Sequence, residues 1–405
     1  MALLGFDKKG KLIGAILLIA GSCIGSGMLG MPVMSAQGGF FPSVVLFTLA
    51  WLFMTLSGFV LLEANLWFEE GASLITLAGR TLGRFGQMAC WALFLFLFYS
   101  ILVALFSAGG QLVNEVVENL FSWGLPSWAG SLSILFIFGL VLLVGTHAVD
   151  GVNRIFMVGL IVSYLILIIL GIGKIEVTNL YQIDWKASYF AFPAMLIAFG
   201  FQNLIPSLTR YLHQDRKDLK RVILYGSLIP LVVYLFWQAL ILGIVPGAAF
   251  VGAIDKGEMA TVLLKRVTGI SWVVTAAEYF AFFALMTTFI GVALSLVDFL
   301  ADGLSIQKNK KNQFFLVCMA LLPPFFCSVV NPHLFLRALK IAGGLGVMAL
   351  FGVIPALMVW RGRYVQKRTG IAIIPGGKFS LLFILLVSSL VIVLELLDEL
   401  GVLYA

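Results

Sequence analysis

Ala20-Gly21-Ser22-Cys23-Ile24-Gly25-Ser26-Gly27-Met28-Leu29-Gly30-Met31-Pro32 lies inside the first long apolar run of the chain. A helix in lipid keeps its backbone hydrogen bonds internal, because hydrocarbon offers no water to replace them. Four glycines and a proline in so short a window weaken a helix, each Gly by about 1 kcal/mol relative to Ala. A break at membrane depth is tolerated only where it is buried in protein or lines a cavity. The amides and carbonyls it frees can bind a zwitterion or a cation. Small residues also serve close helix packing, so this stretch alone leaves both uses open.

The setting is lipid. Apolar residues make up 61% of the 405 and charged ones 11%, with a mean hydropathy of +1.08. A soluble domain carries about 25% charged residues. The chain therefore reads as an all-α integral membrane protein, one polytopic domain over 1–405, with the bilayer as its partner. The +7 net charge falls in short loops, which points to membrane topology and not to nucleic acid. Cys23, Cys90, Cys318 and Cys327 sit in or beside apolar segments without metal-ligand spacing and read as small hydrophobes. Lys8, Lys9 and Lys11 ahead of an apolar run resemble a signal peptide, but the run is too long, and it is expected to be a retained first span.

Spans of about 20 apolar residues are expected near 12–36, 40–67, 88–113, 129–147, 154–173, 189–211, 221–245, 272–300, 313–330, 338–360 and 379–397, roughly eleven in all. With the N-terminus in the cytoplasm, 19 of the 26 Lys and Arg residues fall in inner loops. That predicts a C-terminus, with Asp398 and Glu399, on the outer side. The outer segment 258–267 has helical spacing and reads equally as a capping surface helix or a connector.

A second interruption lies in the sixth span, Phe190-Ala-Phe-Pro193-Ala-Met-Leu-Ile-Ala-Phe199-Gly200-Phe201-Gln202-Asn203-Leu-Ile-Pro206. Amide side chains are costly in hydrocarbon, so Gln202 and Asn203 should face the interior, at a site or in an interhelical hydrogen bond. The two breaks are five spans apart, and an odd offset places two halves in opposite orientation. Paired interruptions in corresponding spans are the sequence pointer to a secondary transporter with a midplane site.

Gly14-Ala-Ile-Leu-Leu-Ile-Ala-Gly-Ser-Cys-Ile-Gly-Ser-Gly-Met-Leu-Gly-Met-Pro32 resembles the opening signature of the hydroxy and aromatic amino acid permeases, and Ala198-Phe-Gly-Phe-Gln-Asn-Leu-Ile-Pro-Ser207 their broken sixth helix. Segments 226–238 and 289–302 extend the likeness over the whole chain, towards the tyrosine permease branch. The resemblance implies a five-plus-five inverted-repeat (LeuT-like) fold with discontinuous helices 1 and 6, repeats near 12–173 and 189–360, and an extra helix near 379–397. It implies proton symport of an aromatic amino acid across a bacterial inner membrane, tyrosine first, with tryptophan or phenylalanine as alternatives. It implies no cofactor and no obligate protein partner.

On that fold, amides around Ser22, Cys23, Gly25, Ser26 and Gly27 would take the substrate carboxylate and carbonyls near Phe199 and Gly200 its ammonium. A ring would lie against Phe199, Phe201 or Tyr99, with Gln202 or Asn203 reaching a ring substituent. The tyrosine branch carries a histidine where this chain has Gln202, so a titrating role does not carry over to that position. Intramembrane acids default to functional hypotheses. Glu63 is the first choice for the coupled proton; Glu278 and Asp298 lie nearer span ends, and Glu395 is expected close enough to an end to reach water. Gly21, Ile24, Ala284, Thr287 and Thr288 resemble the carbonyl-and-hydroxyl sodium site of the wider fold, so Na+ stands as the rival coupling ion. A membrane-embedded enzyme finds no support in the scattered His147, His213 and His333 or in Ser26. A channel would show filter rings or subunit repeats, and neither is visible.

Overall fold

An apolar backbone in lipid pairs its own amides and carbonyls most simply as a helix, and the long apolar runs are helical. This computed structural model describes residues 8–68, 72–122, 124–144, 146–269, 271–304, 306–307, 309–368 and 372–402. Among the described residues there is no strand. Among the described residues nine helices are long and apolar enough to cross a membrane, ten when the bent pair at the start counts as one span. The shorter apolar helix Trp128–Val144 occupies the place of the fourth expected span, at the low end of the roughly 17–25 residues that a crossing requires. Residue 145 lies outside the described residues, as does the side chain of His147.

The first half of the chain comprises α1 (Lys8–Cys23), α2 (Gly27–Ser35), α3 (Phe40–Asn65), α4 (Leu74–Leu82), α5 (Arg84–Phe121), α6 (Ser127–Val144) and α7 (Thr146–Gly171). α8 (Trp185–Ser188), α9 (Phe192–Ile197) and α10 (Ile205–Tyr211) make up the sixth span. α11 (Arg216–Ile244), α12 (Ala260–Thr268), α13 (Ser271–Gly303), α14 (Lys310–Val330), α15 (Phe335–Ile341), α16 (Ile354–Tyr364) and α17 (Gly377–Glu399) complete the molecule.

Both expected breaks are present. α1 and α2 meet at 54° across Ile24-Gly25-Ser26. In the sixth span α9 gives way at Ala198, after turns in which the Phe199 amide donates to the Leu196 carbonyl (3.2 Å) and the Gly200 amide to the Ile197 carbonyl (3.0 Å). Pro193 and Pro206 lie in the first turns of α9 and α10, where a missing N–H costs nothing. The prolines therefore open the two half-helices, and the break itself lies at Ala198–Phe201. A third irregularity lies between α15 and α16, where the tenth span runs as a π-helix over Ala342–Val353.

Loop segments brace the bundle. The stretch with helical spacing near 258–267 forms α12, which ends at Gly269 with φ 57°. Its Lys265 ammonium bonds Glu115 on α5 (3.1 Å) and Glu278 on α13 (3.0 Å), tying two spans together. At the other end of the bundle the Glu63 carboxylate, buried at the end of α3, takes both arms of the Arg363 guanidinium at 2.6 Å and the Ile373 amide at 2.7 Å. Bidentate charge-assisted pairs of this kind fix geometry, so Glu63 fastens α3 to α16 and to the segment beyond it.

Candidate functional site

The break in the first span is held from two sides. On α11, Tyr234 and Trp237 are fully buried and one turn apart. The Tyr234 hydroxyl donates to the Cys23 carbonyl (2.7 Å), and the Trp237 indole N–H donates to the Met28 carbonyl (2.6 Å). Carbonyls on both sides of the break are thus satisfied by one helix, as buried backbone groups require. On α13, the Thr288 hydroxyl donates to the Ala284 carbonyl (2.8 Å) and accepts from the Ser26 amide (3.0 Å). Position 25 must be glycine for this approach, since a Cβ there would run into the Thr288 hydroxyl oxygen.

A cavity of about 450 Å³ opens at this break. Single ligands occupy cavities of roughly 300–1,000 Å³, so one amino acid fits. Its wall is formed by backbone and small side chains of Gly21 to Gly27, by Ala198, Gly200 and Asn203 of the sixth span, and by Thr287 and Thr288. The two breaks therefore face one space. α2 begins at Gly27; the Met28 and Leu29 amides turn back to the Gly25 (3.1 Å) and Ser26 (3.0 Å) carbonyls, which leaves the Gly27 amide as the donor of the first turn that an anion can take. Phe94 and Phe98 of α5, in a stacked pair with centroids 5.8 Å apart, and Phe351 of the π-helical stretch line the apolar side. Walls towards the start of α1 are open: Ser22 and Gly291 are exposed, and Leu17 and Leu18 are about half exposed. Towards α2 the floor is sealed by Met28, Trp237 and Phe280, all fully buried.

The expected site residues divide. Ser22, Cys23, Gly25, Ser26, Gly27, Gly200 and Asn203 line the cavity, as do Gly21, Ile24, Thr287 and Thr288 of the hydroxyl cluster. Ala284 lies behind that cluster, its carbonyl accepting from Thr287 (3.2 Å) and Thr288. Five others are elsewhere. The Tyr99 hydroxyl donates to the Met319 carbonyl at 2.7 Å and joins α5 to α14. Phe199 is packed edge-on against Tyr234 and Phe47, and the Phe201 ring lies on Gly58 of α3. Gln202 is fully buried and donates from Nε2 to the Met54 carbonyl (3.0 Å). Glu63 is in the ion pair described above. Tyr99 is expected at the cavity from the third span, but neighbouring positions on a helix point about 100° apart, and Phe98 meets the cavity where Tyr99 does not. Sequence reasoning missed Tyr234 and Asn153, both in the cavity wall. The Asn153 Oδ1 is buried and takes no hydrogen bond among the described residues.

One further expectation is corrected: Glu395, placed near water by its position in the sequence, is 1% exposed. His213 and His333 are exposed, and His333 Nδ1 contacts the Lys256 carbonyl (2.9 Å). Among the described residues no cluster of His, Cys, Asp or Glu could hold a metal ion.

The chain matches the model of the tryptophan/tyrosine permease family over residues 8–395. It belongs to that family. Its relatives include the tyrosine-specific transport system 1 of Haemophilus influenzae, 30% identical over 94% of this chain and 95% of that protein. The tryptophan-specific transport protein of the same species is 28% identical over 98% of both chains. Glutamine transporter 2 of Aliivibrio fischeri is 27% identical over 95% of this chain and 99% of its own length. Members of the tryptophan/tyrosine permease family are transport proteins and not enzymes, and this chain is a multi-pass membrane protein of that kind.

Proposed function

We propose that this permease imports an aromatic amino acid, tyrosine first and tryptophan or phenylalanine as alternatives, by proton symport through alternating access. The observation that carries the reading is one cavity of about 450 Å³ shared by both broken spans and flanked by Phe94, Phe98 and Phe351. The substrate carboxylate sits at the start of α2, against the Gly27 amide and the Ser26 hydroxyl, the Ser26 amide being held by Thr288, and its ammonium lies near the carbonyls that end α9. Its ring lies on the phenylalanines, where aromatic contact adds about 0.5–1.5 kcal/mol beyond area. Asn153, Asn203 and the Tyr234 hydroxyl are the polar groups within reach of a ring substituent. The positions of the two breaks support the inverted-repeat scaffold of 12–173 and 189–360, with α17 as the additional helix. The basic loops support an N-terminus in the cytoplasm of a bacterial cell and a periplasmic C-terminus. The cavity then faces the cytoplasm.

Sodium coupling is the second reading, favoured by the Thr287 and Thr288 hydroxyls beside Gly21 and Ile24. Uptake of labelled tyrosine into proteoliposomes separates the two, with pH and sodium gradients imposed singly and tryptophan, phenylalanine and glutamine as competitors. Proton-driven uptake blocked by aromatic competitors is the expected result. A strict sodium requirement would overturn proton symport, and competition by glutamine alone would overturn the aromatic substrate.

A further inference from the structure

We infer that Glu395 on α17 is a proton-binding site whose charge state sets how firmly α15 is held against α17, and through it the sixth span. This rests on the proton-symport reading.

Glu395 is buried, and neither of its carboxylate oxygens takes a hydrogen bond among the described residues. Native proteins leave few buried polar groups in that condition, and an ionisable side chain within a span marks function by default. Ser388, two turns earlier on the same face of α17, is fully buried, and its hydroxyl likewise has no partner among the described residues. The two define a polar line on the buried side of α17, against the π-helical stretch.

The charged groups at this end are few. From α15, Lys340 lies 3.8 Å from the Glu395 carboxylate but donates its hydrogen bond to Asp398. Arg337, also on α15, is bonded through Nε to both oxygens of Glu399, at 3.2 and 3.0 Å. Arg361 and Arg363 of α16 lie at the opposite end of the tenth span, on the Leu82 carbonyl and Glu63. Asp398 and Glu399 thus each own a cation, whereas Glu395 has only the distant pull of a shared one. Glu63 presents the opposite case, with three donors on its two oxygens. A proton added to Glu63 would displace a bond; one added to Glu395 displaces none.

The surroundings transmit that change. A Cβ at Gly344 would come within 2.8 Å of the Glu395 Cγ, and one at Gly343 would run into the Pro193 carbonyl at the start of α9. Two consecutive residues of the π-helical stretch therefore press on α17 and on the sixth span. Lys340 also lies over the Phe190 ring, 5.3 Å from its centroid. Ionised, Glu395 draws Lys340 and α15 towards α17. A proton on one carboxylate oxygen removes that attraction and leaves α15 held to α17 by the Lys340–Asp398 and Arg337–Glu399 pairs alone, a looser hold under which α15 can follow the sixth span. Loss of the proton to the opposite side of the membrane restores the first arrangement.

The test uses the full chain in proteoliposomes, with Glu395→Gln and Glu395→Asp beside the wild type. Accumulation of labelled tyrosine under an imposed pH gradient should fall by at least about tenfold in Glu395→Gln, within the span of measured couplings between sites. Exchange of labelled for unlabelled tyrosine should lose its pH dependence in that variant and keep it, with a shifted midpoint, in Glu395→Asp. Infrared spectra across a pH titration should show a protonated-carboxyl band in the wild type that Glu395→Gln lacks. Wild-type accumulation in Glu395→Gln, or a band unchanged by the substitution, would overturn the inference. The infrared measurement needs no substrate. A wild type that accumulates no tyrosine therefore sinks the symport reading and the coupling role with it, while the band alone decides whether Glu395 binds a proton.

Discussion

The Ser26 amide donates to the Thr288 hydroxyl at 3.0 Å, across 262 residues of sequence, and this bond joins the break in the first span to α13. Thr288→Val keeps the shape of the side chain and removes the acceptor. A buried amide left without a partner costs about 1–3 kcal/mol, which in affinity is on the order of tenfold or more. The expected outcome is a weakened Kd for the transported amino acid in scintillation proximity measurements. A wild-type Kd would show that the break keeps its form without this contact.

Gly25→Ala places a methyl group where the Thr288 hydroxyl oxygen now lies. Uptake should be lost in the single variant and partly recovered in Gly25→Ala/Thr288→Ala, where room has been made. The double-mutant cycle should return a coupling of about 0.5–3 kcal/mol, as contacting residues do. Additive effects would place the damage in the backbone of the break and not in the contact.

Neighbouring positions on α5 should behave differently. Phe98→Ala removes part of the cavity wall and should raise KM for aromatic substrates by several fold, from the roughly 0.5–1.5 kcal/mol of a ring contact. Tyr99→Phe should leave KM where it is and lower thermal stability, since it loses only the bond to Met319. Equal shifts in KM would contradict the placement of the cavity.

Glu63 and Arg363 should matter for stability before they matter for coupling. Arg363→Met leaves a buried carboxylate without its cation, a change that costs about 3–5 kcal/mol in known cases. Glu63→Gln/Arg363→Met, which removes both charges, should melt at a higher temperature in detergent than Arg363→Met alone. The folded fraction of Glu63→Gln should still accumulate substrate under a pH gradient; failure to do so would return the coupled proton to Glu63.

Lys265 gives a pH signature. Burial draws its ammonium down, but the hydrogen bonds and charges of Glu278 and Glu115 outweigh that and hold it above the ordinary lysine value. A group raised in the folded state contributes stability that is fully present below its unfolded pKa and lost as pH rises through its folded one. Wild-type thermal stability should therefore lose this contribution only in strongly alkaline solution. Lys265→Met should lose it at neutral pH and show a flatter alkaline limb.

Much of this architecture is legible in the sequence because lipid narrows the choices. Apolar runs had to be helices, and the glycines at 25, 27 and 200 fall where helices stop or start. The side-chain wall was less legible. Nothing in the sequence separates Phe98 from Tyr99, since their difference is a rotation of α5 set by what packs behind it. The acids were misjudged for a related reason. Glu63 looked exceptional as an acid within the second apolar run, yet its partner Arg363 lies 300 residues away. Glu395 looks peripheral because a position near a span end suggests access to water, whereas α15 and the π-helical stretch cover it.

The grip of α11 on the first span also has a schedule. Cys23 waits for a residue 211 positions later, and Met28 for one 209 positions later. At about 5–20 residues per second, the ribosome needs roughly 10–40 s to deliver Tyr234 and Trp237 after the first span has emerged. Through that interval the broken segment must be sheltered by water or by the insertion machinery, and only the arrival of the seventh span lets it settle into lipid for good.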